Sequence, residues 1–141
     1  MSHVQRNIDI VKGIYESFGK QDIPAILERM SSDVEWEMGT AGGHGVPWLT
    51  GGRGRDHVLA FFQSLGELEF QRFEVVEVMG AGRYVVGLVN VTLVVKKTGR
   101  IVREELESHV WRFDEAGRVT GMRHGVDTHA HVLATAESSA R

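Results

Sequence analysis

A chain of 141 residues and 15.7 kDa, 42% apolar and 25% charged, has room for one domain over 1–141 and is neither disordered nor collagen-like. Its net charge of −3, without a basic stripe, excludes a typical nucleic-acid binder, and the absence of cysteine excludes disulfides and thiolate chemistry. No apolar run reaches the roughly 18 residues a membrane span needs, and the start Met1-Ser2-His3-Val4 carries no signal-peptide core, so a soluble, cytoplasmic protein with no membrane contact is expected.

Ile8, Val11, Ile14, Tyr15 and Phe18 recur at helical spacing over 7–19, with Asn7 as the expected cap and Gly19 as the expected left-handed end. Asp22, ahead of Ile23-Pro24, starts a second short helix carrying Ile26, Leu27 and Met30. Val34-Glu35-Trp36-Glu37-Met38 alternates apolar and acidic residues, the pattern of a half-buried strand. Residues 39–55 hold seven of the 17 glycines and read as a long irregular loop with a task of its own. A third helix is predicted over about 56–65, with Val58, Leu59, Phe61, Phe62 and Leu65 inward. From there the period becomes two, giving long strands near 68–79, 83–97, 100–114 and 118–127, separated by short glycine turns. Residues 131–141 read as a flexible tail behind a core of about 7–130.

Helices first and a strand meander afterwards define an α+β fold. The connections are too short for helical crossovers, so the sheet is expected to be mainly antiparallel. Strands this long must curve strongly, so the expected shape is a cone-shaped barrel closed by three N-terminal helices around a pocket. Val76, Val78, Val86 and Val102 give the sheet apolar side chains on both faces, and the helices can cover one.

Four stretches then carry a resemblance: the G-K-Q-D turn after the first helix, D-V-E-W-E, P-W-L-T-G-G-R-G-R-D-H-V-L-A-F-F, and H-V-W-R-F-D-E-A-G-R-V-T-G-M-R. In this order and spacing, over about 7–130, the sequence resembles the ketosteroid-isomerase-like superfamily, also called SnoaL-like or nuclear-transport-factor-two-like. The resemblance implies a deep apolar pocket and a homodimer through the outer sheet face, but no single activity. It puts the isomerase's carboxylate base at Met38, its tyrosine at Ile14 and its protonated acid at His109; Tyr15, one residue on, is rotated by about 100° on a helix. Steroid isomerisation by that route is therefore not expected. In the cyclase and limonene-type epoxide-hydrolase pattern, His124 takes the place of the last-strand aspartate, and the middle-strand hydrolase residues are replaced by Val89 and Val91. Standard epoxide hydrolysis is not expected either.

By alternation His109, Trp111 and Phe113 share one face of a strand, and Met122, His124 and Val126 one face of the next. The register implied by the resemblance turns both faces into the cone and brings two imidazoles together. Histidine exchanges a proton near neutral pH, so His124 and His109 are the catalytic candidates. Tyr15, Trp36, Met38, Trp48, Phe61, Phe62, Trp111 and Met122 are the substrate-binding candidates. Glu105 and Glu107 share parity with His109, and either could hold its ring. His129 and His131, with His124, lack a third ligand at fixed spacing, and Gly51-Gly52-Arg53-Gly54-Arg55 does not match a phosphate loop, so no metal and no cofactor are expected. The expectation is cofactor-independent acid–base chemistry, of isomerase, lyase or cyclase type, on a small apolar or polycyclic molecule. The alternative is a non-catalytic hydrophobic-ligand-binding protein of the same fold.

Overall fold

The computed structural model describes residues 3–40 and 42–136. Its elements in chain order are α1 (His3–Gly19), α2 (Ile23–Leu27), β1 (Met30–Trp36), β2 (Gly52–Arg53), α3 (Arg55–Ser64), β3 (Leu68–Ala81), β4 (Tyr84–Val95), β5 (Arg100–Phe113), β6 (Val119–Gly125) and α4 (Thr128–Thr135). The six strands form one curved mixed sheet in the order β2-β1-β6-β5-β4-β3, in which β1 runs parallel to β6 and every other pair is antiparallel. The sheet does not close on itself: β2 and β3 are its free edges, and helices complete the cone. Register shifts at Phe70/Arg72, Val75/Glu77 and Val89/Val91 mark where extra residues bend the long strands.

The helices cover the concave face. The apolar stripe of α1 packs on β3 and β4, α3 packs on β1, and α2 bridges the two helices. Trp36, Phe113, Ile26, Met30 and Met122 are fully buried, each worth about 1.5–3 kcal/mol of transfer free energy for a side chain of this size. Asp22 caps α2 as expected, accepting from Ala25 N at 3.3 Å. No described helix is long and apolar enough to cross a membrane.

Three local expectations are corrected. The first helix begins at His3, so Asn7 lies buried within it, accepting from Arg6 Nε at 3.2 Å, and caps nothing. The left-handed residue after it is Gln21 (φ 58°), not Gly19. The expected tail from 131 is helical as far as Thr135, because Asp127 caps α4 by accepting from Ala130 N at 3.1 Å and the helix docks on β5. Residues 137–141 of that tail lie outside the described residues.

The convex face of the sheet is mixed, with Arg72, Glu74, Asn90 and Glu105 joined in one polar network beside exposed apolar residues. Val76, Met79, Ile101 and Leu106 are exposed there, whereas Val78 and Val102 point inward.

Candidate active site

The concave face and helices enclose a cavity with about 680 Å³ of atom-free space, counting its open mouth. Nine of the ten residues singled out from the sequence line it; Met38 does not. Its peptide N–H bonds Met122 O at 3.0 Å and its sulfur lies against Gly121. Ile14 and Tyr15 both line the cavity: the wall contributed by α1 is wide enough for two neighbouring positions.

One end of this aromatic chamber is polar. His109 and His124 are paired across β5 and β6, with ring centroids 4.9 Å apart and planes at 78°. Each has its own glutamate. His109 Nε2 is 2.6 Å from Glu107 Oε2, and His124 Nδ1 bonds Glu37 Oε2 while its peptide N–H donates to Glu37 Oε1 at 2.9 Å. The second nitrogen of His109, Nδ1, is 2.8 Å from Tyr15 Oη, which also accepts from Trp111 Nε1–H at 3.3 Å. An indole only donates, so the chain has a direction: Trp111 to Tyr15, Tyr15 to His109 Nδ1, and His109 Nε2–H to the Glu107 carboxylate. With Nδ1 of His124 clamped by Glu37, its Nε2 is left for the cavity's occupant.

The two imidazoles are pushed in opposite directions. Burial lowers the His109 pKa and prevails over the hydrogen bond that His109 donates to Glu107. Burial also works against charge on His124, but the Glu37 carboxylate outweighs it and holds this ring above the ordinary histidine value. Burial would raise the Glu107 carboxyl, yet its bond to His109 wins and holds it below the usual range. Burial pushes the Tyr15 phenol up, so Tyr15 stays a donor.

Two backbone departures deliver these glutamates. Strict alternation would put Glu37 beside Glu35 on the solvent side of the strand. Instead β1 ends at Trp36 and Glu37 takes a left-handed conformation (φ 56°), which turns its carboxylate inward. In β5, Leu106 (φ 60°) opens a bulge where Val91 pairs with Glu104 and Val89 with Glu107. The two residues set against Asn90 alone, Glu105 and Leu106, face out, with Glu105 on Arg72 at 3.1 Å, while Glu104 and Glu107 both face in. Sequence parity left Glu105 and Glu107 equivalent for His109; the bulge selects Glu107. Glu37 escaped the sequence reading altogether, and the available signal was an acid one position before the site assigned to the isomerase base.

A third histidine–glutamate pair ties α4 to β5. His131 from α4 accepts from Trp48 Nε1–H at 3.0 Å on Nδ1 and donates from Nε2 to Glu104 Oε2 at 3.0 Å. Glu104 also accepts from Asp127 N at 3.0 Å. His131 is thereby taken, His129 is exposed, and the His124–His129–His131 set does not assemble. In the glycine-rich loop, Arg53 faces Glu35 at 3.8 Å and Arg55 bonds Met30 O, so neither forms a phosphate cradle with the loop.

Gly87 lies opposite His109 in the β4–β5 register, and a Cβ there would overlap the Tyr15 hydroxyl. Gly87→Ala is expected to push Tyr15 off His109 and cost about 1–3 kcal/mol, read as a lower melting temperature. A mutant melting like the wild type would show that Tyr15 can re-seat freely.

This fold and cavity place the protein in a known class. The SnoaL-like domain model matches residues 11–122, and the chain belongs to that family. An NTF2-like protein of unknown function from Burkholderia pseudomallei is 28% identical, with a TM-score of 0.79, covering 96% of this chain and 100% of its own. An NTF2-like protein from Burkholderia xenovorans is 27% identical, with a TM-score of 0.81, covering 96% and 99%. TerC, crystallised with polyporic acid, shares the fold at 24% identity and a TM-score of 0.72, covering 92% and 97%. No curated protein matches the sequence.

Proposed function

We propose that the protein is an enzyme that moves protons on a small, largely apolar ring compound, without a cofactor, in an isomerase, lyase or cyclase type of reaction. The observation that carries this reading is the pair of facing imidazoles, each oriented by its own buried glutamate at the polar end of an aromatic cavity. Two titratable groups driven apart by their surroundings are the usual mark of an acid and a base. His124, clamped by Glu37, is the proton donor to a substrate oxygen. His109 is the acceptor, taking a proton through Tyr15: the substrate's proton passes to Tyr15 Oη as the phenolic proton passes to Nδ1. Glu107 then stabilises the imidazolium. The Trp36 Nε1–H is buried without a hydrogen-bond partner among the described residues, a donor that a ligand oxygen would satisfy.

The test is a panel of neutral cyclic ketones and phenols incubated with the protein in D2O and followed by NMR. Enzyme-dependent exchange of a substrate C–H supports the reading. Tight binding of panel members with no exchange would favour the non-catalytic ligand-binding protein instead.

The exposed convex residues Val76, Met79, Ile101 and Leu106 support a homodimer through that face. Light scattering is expected to report twice the 15.7 kDa of the chain. A monomer mass at micromolar concentration would count against it.

A further inference from the structure

At the polar end of the cavity, both paired histidines have one ring nitrogen committed to an outer partner: Nδ1 of His124 to Glu37, and Nδ1 of His109 to Tyr15. Their remaining nitrogens stand near the Glu107 carboxylate. One donor atom from each of Glu107, His109 and His124 lies within 4.8 Å of the other two. The geometry points to a binding site for a divalent first-row transition ion, held by Glu107, His109 Nε2 and His124 Nε2, with its open coordination positions toward the cavity. Two imidazoles and one carboxylate suit Zn²⁺, Co²⁺ or Fe²⁺ better than the hard ions Mg²⁺ and Ca²⁺, which prefer oxygen alone.

The outer partners fit this role. Histidines that bind metals are generally held by a hydrogen bond from the other ring nitrogen to a carboxylate, carbonyl or water. Glu37 supplies that carboxylate to His124. Tyr15 can accept as well as donate, so once the His109 proton moves from Nε2 to Nδ1, the phenolic oxygen receives it. The adjustment is small. With metal–ligand bonds of about 2.0–2.2 Å, tetrahedral ligand atoms lie roughly 3.4 Å apart. His109 Nε2 and Glu107 Oε2, now 2.6 Å apart, part by less than 1 Å by that measure, and His124, within 4.8 Å of both, closes in by at most about 1.4 Å. Both carboxylates at this end, Glu37 and Glu107, are buried and favour an added cation. Spacing along the sequence hides the set, because only the β5–β6 register brings His124 to Glu107 and His109. An ion on His124 Nε2 and a proton on the same atom exclude each other, so a bound ion would switch off the acid role proposed above.

The test reads occupancy and not turnover, so it is decided separately from the acid–base reading. The full chain, free of any affinity tag and stripped with a chelator, is titrated with Co²⁺ by visible absorption and then challenged with Zn²⁺. One Co²⁺ per chain, displaced by Zn²⁺, and at least about tenfold weaker binding in Glu107→Gln, are expected. Should Glu107→Gln fail to fold, the wild type decides alone. In its long-range ¹H–¹⁵N spectra, Zn²⁺ should shift the imidazole nitrogens of His109 and His124 together and leave His131 in place. Absence of stoichiometric binding overturns the site. So does full binding in a folded Glu107→Gln, or a Zn²⁺ response confined to exposed histidines such as His44 and His129.

Discussion

His124→Asn is expected to slow enzyme-dependent proton exchange by about 10²–10⁴-fold, the usual contribution of a general acid–base group. Folding should be nearly untouched. Asparagine keeps an N–H for the Glu37 carboxylate, so the buried acid is not stranded, yet it carries no proton near neutral pH. The paired measurements are the exchange rate and the melting temperature. A variant that melts far below the wild type while exchanging normally at low temperature would make His124 a structural residue and sink its catalytic assignment. His109→Asn should lower the rate as well and, by removing the partner of both Tyr15 and Glu107, should cost more stability than His124→Asn.

Glu37→Ala should act chiefly on stability. Its carboxylate is buried, accepts both the ring and the peptide N–H of His124, and sustains that ring's charge. Breaking a buried pair from one side typically costs about 3–5 kcal/mol, because the partner keeps its desolvation penalty. Glu37→Gln retains the shape and should cost less, and it supplies a pH signature. In the folded protein His124 is raised above the ordinary value of about 6.5, so its pairing stabilises fully below that pH and the benefit is lost as pH climbs through the raised value. His109 is lowered, so its contribution has the opposite sign: stability falls as the pH drops below about 6.5, where the unfolded chain binds the proton. Melting curves in chelator from about pH 6 to 9 should therefore show the alkaline loss flattened in Glu37→Gln and the acid-side loss retained. An unchanged alkaline limb would mean that Glu37 does not set the His124 charge.

Much of this molecule was legible along the chain. The helical stripe through Val11, Ile14 and Phe18, the cap at Asp22 and the switch to period two after residue 68 are local patterns, and each became the expected element. Alternation alone placed His109 and Trp111 on one face, and Met122 and His124 on the next, and the register does oppose His109 to His124 and Trp111 to Met122. These patterns are readable because a strand's side-chain period depends only on the backbone being extended.

The carboxylates were decided elsewhere. Period-two reasoning fails wherever one residue leaves the extended region, and the site is built on two such residues, Glu37 and Leu106. Each carries a positive φ that a non-glycine residue rarely adopts without support. Here the support is tertiary: Glu37 is clamped by His124 from β6, and the Leu106 N–H is received by Asn90 Oδ1 from β4 at 2.9 Å. The docking of α4, which carries His131 to Trp48 and Glu104, likewise depends on groups 83 and 27 residues away in the chain. The sequence by itself determined the order of elements, the apolar chamber and the inward face of the two histidine strands, because these follow from local periodicity. Which glutamate meets which histidine was decided only by the tertiary structure, because a left-handed residue and a bulge are held by partners from distant strands and each reverses the parity on which a local reading depends.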